Sequence, residues 1–290
     1  MRINSLVFAF GALAFAAQPA LSQDARLLER GTYLMNSIVA CGNCHAQRDK
    51  QGRPMPELGL SGGLVFDEKP FKAYASNITP DSETGVGKWT EAQLMRGIRE
   101  GIRPDGSLIG PPMPIHMYRG ISDDDARALV AYLRAQPPVK NVVPKSIYHI
   151  KLPRSYGPPI KKTIVATSRS NPVKYGAYLA GPLGHCVDCH TPYTERGMDM
   201  QRLGAGGTPF TGPWGVSVSR NLTPTGLKHW SDAEIARAIR EGKSRDGSPL
   251  KPPMAFDWYK NITDQDMAAI VAYLRSLKPL PLGGAPSAKP

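Results

Sequence analysis

The sequence predicts an all-α protein made of two tandem domains in one chain. Three observations carry that reading. Short motifs recur in the same order, with the copies about 145 residues apart. Apolar residues fall at helical spacing behind N-capping signatures. The pentapeptide pattern C-x-x-C-H occurs twice and uses all four cysteines, as Cys41-Gly42-Asn43-Cys44-His45 and Cys186-Val187-Asp188-Cys189-His190.

The repeat is dense. Gly31-x-Tyr33-Leu34 stands ten residues before Cys41, and Gly176-x-Tyr178-Leu179 stands ten before Cys186. Gly62-Gly63 matches Gly206-Gly207, and Asn77-Ile78-Thr79-Pro80 matches Asn221-Leu222-Thr223-Pro224. Trp89, Ile98-Arg99-Glu100-Gly101, Asp105-Gly106-Ser107, Pro111-Pro112-Met113 and Ala131-Tyr132-Leu133-Arg134 all reappear 141 residues later.

Each copy reads as a small helical domain. A first helix over about Asp24–Ala40 delivers the chain to the cysteines. A second begins at the capping box Thr90-x-x-Gln93, or Ser231-x-x-Glu234, and stops at Gly101 or Gly242. A last helix begins at Ser122 or Thr263, and its Ala126, Leu129, Val130 and Leu133 lie on one face toward the core. The domains are residues 23–140 and 172–282. The stretch 141–171 between them is a basic, proline-containing linker laid over both, and 283–290 is a tail outside either fold.

The N-terminus has a charged start, an apolar run over about 6–17 and a small-residue site ending at Ser22. These are the parts of a cleaved secretory signal peptide over 1–22. That run is too short to span a bilayer, which takes about 20 residues, and no other stretch approaches the length. The expected location is the periplasm, without a transmembrane anchor.

C-x-x-C-H is the attachment signature of a c-type haem. Two thiols add to the porphyrin vinyl groups, and the adjoining imidazole reaches the iron. A disulfide, a zinc knuckle or a thioredoxin-like pair is the alternative. No cysteine is left over to complete an all-cysteine zinc site, and no βαβ context surrounds either motif. Two covalently attached haem c groups are therefore expected, on Cys41 and Cys44 and on Cys186 and Cys189, with His45 and His190 as proximal ligands. A methionine opposite the histidine raises the potential of an electron carrier. Of the ten methionines, Met113 and Met254 alone occupy matching positions after the motifs, each behind Pro-Pro, and they are the expected distal ligands. Met117 is matched by Trp258 and His116 by Asp257, so neither repeats. Trp89, Trp230, Asn77 and Asn221 either line the haem edge or serve ordinary core and turn roles. For Arg99 and Arg240 a favourable interaction with the helix dipole suffices.

The formal net charge is +12. Residues 141–172 carry six basic and no acidic side chains, about half of the excess. An exported haem protein does not meet nucleic acid. The basic segment is a docking face for an acidic redox partner or an anionic membrane surface, or simply a solvated linker.

Together, Gly-x-Tyr-Leu, C-x-x-C-H, Asn-Ile-Thr-Pro-Asp, Gly-x-Gly-Lys-Trp-Thr, Ile-Arg-Glu-Gly, Pro-Pro-Met and Ala-Tyr-Leu-Arg resemble the class I cytochrome c modules of periplasmic dehydrogenase cytochrome subunits, which serve alcohol, aldehyde and gluconate dehydrogenases. The resemblance spans nearly the whole chain after residue 22, twice. It implies an electron-transfer protein with a periplasmic dehydrogenase as donor and another cytochrome or an oxidase as acceptor. It also implies covalent haem at the four cysteines, proximal His45 and His190, and distal Met113 and Met254. The best-known members carry three haems and often a C-terminal anchor, whereas this chain has two motifs. The competing reading is a dihaem redox enzyme, such as a thiosulfate dehydrogenase or a peroxidase.

Overall fold

The computed structural model describes residues 22–194, 197–212 and 214–283. The expected leader and tail lie outside these residues, apart from Ser22 and Gly283.

Helix α1 (Gln23–Met35) is capped by the Ser22 hydroxyl, which accepts from the Ala25 N–H at 3.2 Å. It stops short of the expected Ala40. Asn36 closes it, a tight turn follows, and Ala40 takes a left-handed φ of 50°. That turn re-aims the chain into the one-turn helix α2 (Gly42–His45). Strands β1 (Val65–Glu68) and β2 (Phe71–Tyr74) form an antiparallel hairpin. Helix α3 (Glu91–Glu100) starts at a complete Thr90/Gln93 capping box and ends at Gly101 with φ 68°. The short α4 (Ile115–Tyr118) leads to α5 (Asp123–Ala135), capped by Ser122. Ala126, Leu129, Val130 and Leu133 are all buried on α5.

The linker has no helix, and β3 (Ile147–Tyr148) adds to the edge of β2. The second half then presents α6 (Pro172–Tyr178), a wide π-helical turn over Leu179–Leu183 containing Pro182, and α7 (Cys186–Cys189). Two small hairpins follow, β4 (Tyr193–Thr194) with β5 (Gly197–Met198) and β6 (Pro209–Gly212) with β7 (Gly215–Val218). Helix α8 (Asp232–Glu241) has the Ser231/Glu234 capping box and ends at Gly242. Then come α9 (Phe256–Tyr259) and α10 (Asp264–Ser276). The fold is mostly helical, and the three small sheets among the described residues are its departure from an all-α chain. Strands of two to four residues are too short to print an alternating pattern on the sequence.

Helix α1 crosses α5, and α6 crosses α10, at very short range. A methyl group on Gly31 would lie 2.0 Å from the Ala128 carbonyl oxygen, and one on Gly176 would lie 1.9 Å from that of Ala269. The two glycines of the Gly-x-Tyr-Leu motifs are therefore where backbone meets backbone. The tyrosines two residues on reach across to the opposite half. Tyr33 donates to Asp266 at 2.8 Å and Tyr178 donates to Asp125 at 2.7 Å, a reciprocal pair of contacts. Leu34, Ile38, Ile121 and Leu129 from the first half join Leu179, Leu183, Ile270 and Leu274 from the second in one continuous core.

The linker is not evenly shared. Up to Ile164 its hydrogen bonds run to the first half: Asn141 to Ser61, Tyr148 to Pro111, Tyr156 to Ile109 and Ile164 to Asp123. Arg169 then reaches Gln265 of the second half at 2.8 Å.

Gly31→Ala or Gly176→Ala should overpack its crossing and lower stability by roughly 1–3 kcal/mol or more, read as the denaturation midpoint of the haem-loaded protein. Tyr178→Phe leaves the Ser122 amide and the Asp125 carboxylate short of a partner in a buried setting. It should cost about 1–3 kcal/mol and more than Tyr33→Phe, whose hydroxyl lies nearer solvent.

Candidate functional site: the two cysteine motifs

Each motif is one helical turn. The His45 N–H donates to the Cys41 carbonyl at 2.9 Å, and the His190 N–H donates to the Cys186 carbonyl at 3.1 Å. Residues three apart on a helix share a face, so the turn sets both thiols of each motif on one side. Ala40 and His185, which precede the first cysteine of each motif, have φ of 50° and 40°. All four cysteines are free thiols and half-buried.

The histidines are braced identically. His45 Nδ1 lies 2.7 Å from the Ser76 carbonyl oxygen, and His190 Nδ1 lies 2.7 Å from that of Arg220. A carbonyl can only accept, so Nδ1 carries the proton and Nε2 keeps its lone pair. This is how metal-bound imidazoles are commonly oriented. Burial also pushes both imidazoles below their ordinary pKa, against the carbonyl bonds, which favours the neutral ring. Behind the rings, the Gly62 N–H bonds the His45 carbonyl at 2.8 Å, and the Gly206 N–H bonds that of His190 at 2.7 Å. Both glycines have positive φ, and a Cβ on either would press within 2.5 Å of the backbone at Ser76 or Arg220, whose carbonyls meet the histidine rings.

Asn77 and Asn221 hold those carbonyls in place. The Asn77 side chain accepts from the Thr79 N–H and hydroxyl and donates to Val139 O. The Asn221 side chain accepts from the Thr223 N–H and donates to Leu280 O. These are turn-fixing roles one residue away from the histidine brace. Trp89 packs on Val86, Leu94 and Val130, whereas Trp230 packs on the shared core beneath the Arg220 guanidinium. Arg99 and Arg240 do more than meet a helix dipole. Arg99 bonds Ile121 O and Asp123, and Arg240 bonds Ile262 O and Asp264, tying α3 to α5 and α8 to α10.

Met113 and Met254 follow cis prolyl bonds at Pro111-Pro112 and Pro252-Pro253. Both are half-buried against the core that also contacts Cys41. Their carbonyls accept from Ile115 and Phe256 at 2.8 and 3.0 Å, closing the same turn in each half. Each motif touches the opposite half beside its methionine loop. Asn43 donates to Pro253 O at 3.1 Å, while the matching Asp188 pairs with His116 at 3.0 Å and accepts from Tyr193.

The residues fit a covalently attached haem. The motifs offer paired thiols with no disulfide between them and a neutral imidazole with a free Nε2. Among the described residues no three His, Cys, Asp or Glu side chains gather as a metal cluster. Burial pushes the Cys44 and Cys186 thiols up to about 11, and the Cys41 and Cys189 thiols up to about 12.

Comparison with known proteins agrees with this geometry. The cytochrome c family profile matches residues 175–278. The chain is 32% identical over 253 residues to a "Diheme cytochrome c-type" protein of Cereibacter sphaeroides, covering 81% of each chain. This chain belongs to the cytochrome c family.

Other relatives are cytochrome subunits of dehydrogenases. The cytochrome is 31% identical to the cytochrome c subunit of a quinone alcohol dehydrogenase from Gluconobacter oxydans, over 94% of this chain and 59% of that protein. It is 29% identical to the gluconate 2-dehydrogenase cytochrome c subunit of Pantoea cypripedii, over 96% of this chain and 65% of that one. The chain thus spans about six-tenths of the length of these subunits. Membership of the family implies covalently bound haem c and a role in electron transfer.

Asp188, between the cysteines of the second motif, is held by two polar side chains, His116 and Tyr193. Burial raises its carboxyl, but the His116 and Tyr193 bonds prevail and hold it below the usual range. A carboxyl depressed in the folded state stabilises fully above its unfolded pKa of about 3.9 and loses that contribution as pH falls through the folded value. Asp188→Asn should therefore flatten the acid limb of thermal stability relative to the parent protein and cost about 1 kcal/mol at neutral pH. Melting temperatures between pH 2 and pH 7 check both.

Proposed function

We propose that this chain is an exported dihaem c-type cytochrome, made of two tandem class I domains related by duplication. It carries single electrons from a periplasmic dehydrogenase to a respiratory acceptor, another cytochrome or an oxidase. The observation that carries the proposal is the twofold occurrence of one arrangement. In each half a one-turn C-x-x-C-H helix ends in an imidazole pinned through Nδ1 to a backbone carbonyl, and a Pro-Pro-Met loop stands against the same core.

Cys41 and Cys44, with Cys186 and Cys189, hold two haem c groups by thioether bonds. His45 and His190 present Nε2 as proximal ligands, and Met113 and Met254 present their sulfurs as distal ones. Haem bound there would supply a one-electron Fe(III)/Fe(II) couple. The chain's own contribution is to fix ring orientation through Ser76 and Arg220 and to keep water from the sites with the shared core. The names of the relatives support a dehydrogenase as donor. No helix among the described residues is long and apolar enough to cross a membrane. Peripheral contact through the basic linker and processing of the leader over 1–22 complete the reading.

The deciding experiment is the oxidised optical spectrum of the purified protein, with haem counted by mass. Two haems and the full near-infrared methionine-sulfur-to-iron band are expected. Met113→Ala and Met254→Ala should each remove about half of that band, and Met113→His should lower the potential of one haem, because thioether ligation raises it. A parent protein with half the band or none, together with a high-spin feature, would overturn the carrier reading in favour of a redox enzyme.

A further inference from the structure

The two methionine loops begin alike and are braced differently. The Ile109 N–H donates to Gly101 O at 2.7 Å, and the matching Leu250 N–H donates to Gly242 O at 2.6 Å. In the first half the linker then straps the loop. The Tyr156 hydroxyl bonds Ile109 O at 2.9 Å, and the Tyr148 hydroxyl bonds Pro111 O at 3.0 Å. In the second half Lys251 reaches Val216 O at a longer 3.4 Å. A shorter contact on that loop comes from the other half.

It comes from inside the first C-x-x-C-H motif. Asn43 Nδ2 donates to the Pro253 carbonyl at 3.1 Å. The amide is oriented for this, because its Oδ1 accepts from Arg48 at 3.1 Å, and the same guanidinium bonds Asn43 O and Gly52 O. The Pro253 carbonyl lies in the planar peptide unit that joins Pro253 to Met254, so holding its oxygen orients the Met254 backbone. Four residues beyond Met254, the Trp258 ring rests on Gly42, where a Cβ would lie 2.5 Å from the indole Cζ2. The Arg48 guanidinium stands 5.8 Å from the ring centroid. The matching positions carry Val187 and Met117, so the glycine and the indole are exchanged together for two mid-sized side chains. Gly42, Asn43 and Arg48 thus hold both ends of the segment 253–258.

We propose that Asn43 is a positioning residue for Met254. The first motif holds the methionine loop of the opposite half and so sets how firmly the Met254 sulfur stays on its iron. The proposal rests on the reading of Met254 as a distal ligand. It makes the two methionines unequal in what keeps them in place, the linker for Met113 and the first motif for Met254.

The test uses the full-length, haem-loaded, oxidised protein titrated with imidazole, which competes with a methionine sulfur for ferric iron. The near-infrared methionine band is followed. Asn43→Asp keeps the size of the side chain and the acceptor for Arg48 but removes the donor. It also reproduces the Asp188 of the second motif, so it is compatible with haem attachment. Half of the band should vanish at about tenfold lower imidazole than in the parent, as expected for one lost hydrogen bond. In Asn43→Asp combined with Met254→Ala, the remaining half should titrate as in Met254→Ala alone. Trp258→Met, which leaves both motifs intact, should sensitise the same half as Asn43→Asp. Parent-like titrations of Asn43→Asp and Trp258→Met, or a sensitised half that survives Met254→Ala, would overturn the proposal and leave the ligand assignment standing. A Met254→Ala protein with an undiminished band would overturn both.

Discussion

At Gly31 the backbone of α1 runs against the Ala128 carbonyl, and at Gly176 the backbone of α6 runs against that of Ala269. A side chain at either position would overlap the facing carbonyl and force the helices apart, and much of the architecture follows from its absence. The close crossing aims Tyr33 and Tyr178 out of their own halves and into the acidic first turns of α10 and α5. It also sets the register at which each first helix hands the chain to its cysteines.

Because the tyrosine contacts are reciprocal, the halves meet face to face and share one core. The motifs lie on that shared side. Cys41 packs against that shared core, and the buried Tyr259 of the second half belongs to it. Asn43 and Asp188, the variable residues inside C-x-x-C-H, reach the opposite half beside its methionine loop. Assembly of the halves and positioning of the two sites are thus one packing event.

Within this arrangement the two sites have unequal surroundings. The ring of Trp258 lies against Gly42 and under the Arg48 guanidinium, whereas Met117 occupies the matching position. Arg30 forks onto Asp125 at 2.8 and 3.1 Å. The matching partner of Asp266 is Tyr175, with Arg169 of the linker standing 3.6 Å away. Tyr148 and Tyr156 of the linker brace the Met113 loop. Two copies of one motif set therefore stand in different packing and hydrogen-bonding environments.

Much of this was legible in the residues alone. Local chemistry wrote the capping boxes at Thr90 and Ser231, the stops at Gly101 and Gly242, the caps at Ser122 and Thr263 and the buried stripe of α5, since each depends on neighbours within a turn or two of chain. The C-x-x-C-H turns and Pro-Pro-Met loops could be singled out because chemistry-bearing residues recurred in register. The repeat also held Gly62, Asn77 and their partners, but their task of bracing a histidine emerges only when His45 meets Ser76 and His190 meets Arg220 in the folded chain. The early stop of α1 and the strands of two to four residues were decided by tertiary contacts rather than propensity. So were the clasp of the linker on the first half, the pairing of Asp188 with His116 and the face-to-face seating of the halves. The sequence by itself determined what each half is made of, because helix signals and ligand spacings are local. Only the tertiary structure decided how the halves face each other and which surface stays open, because those depend on contacts between residues far apart in the chain, such as Tyr178 with Asp125, His116 with Asp188 and Tyr33 with Asp266.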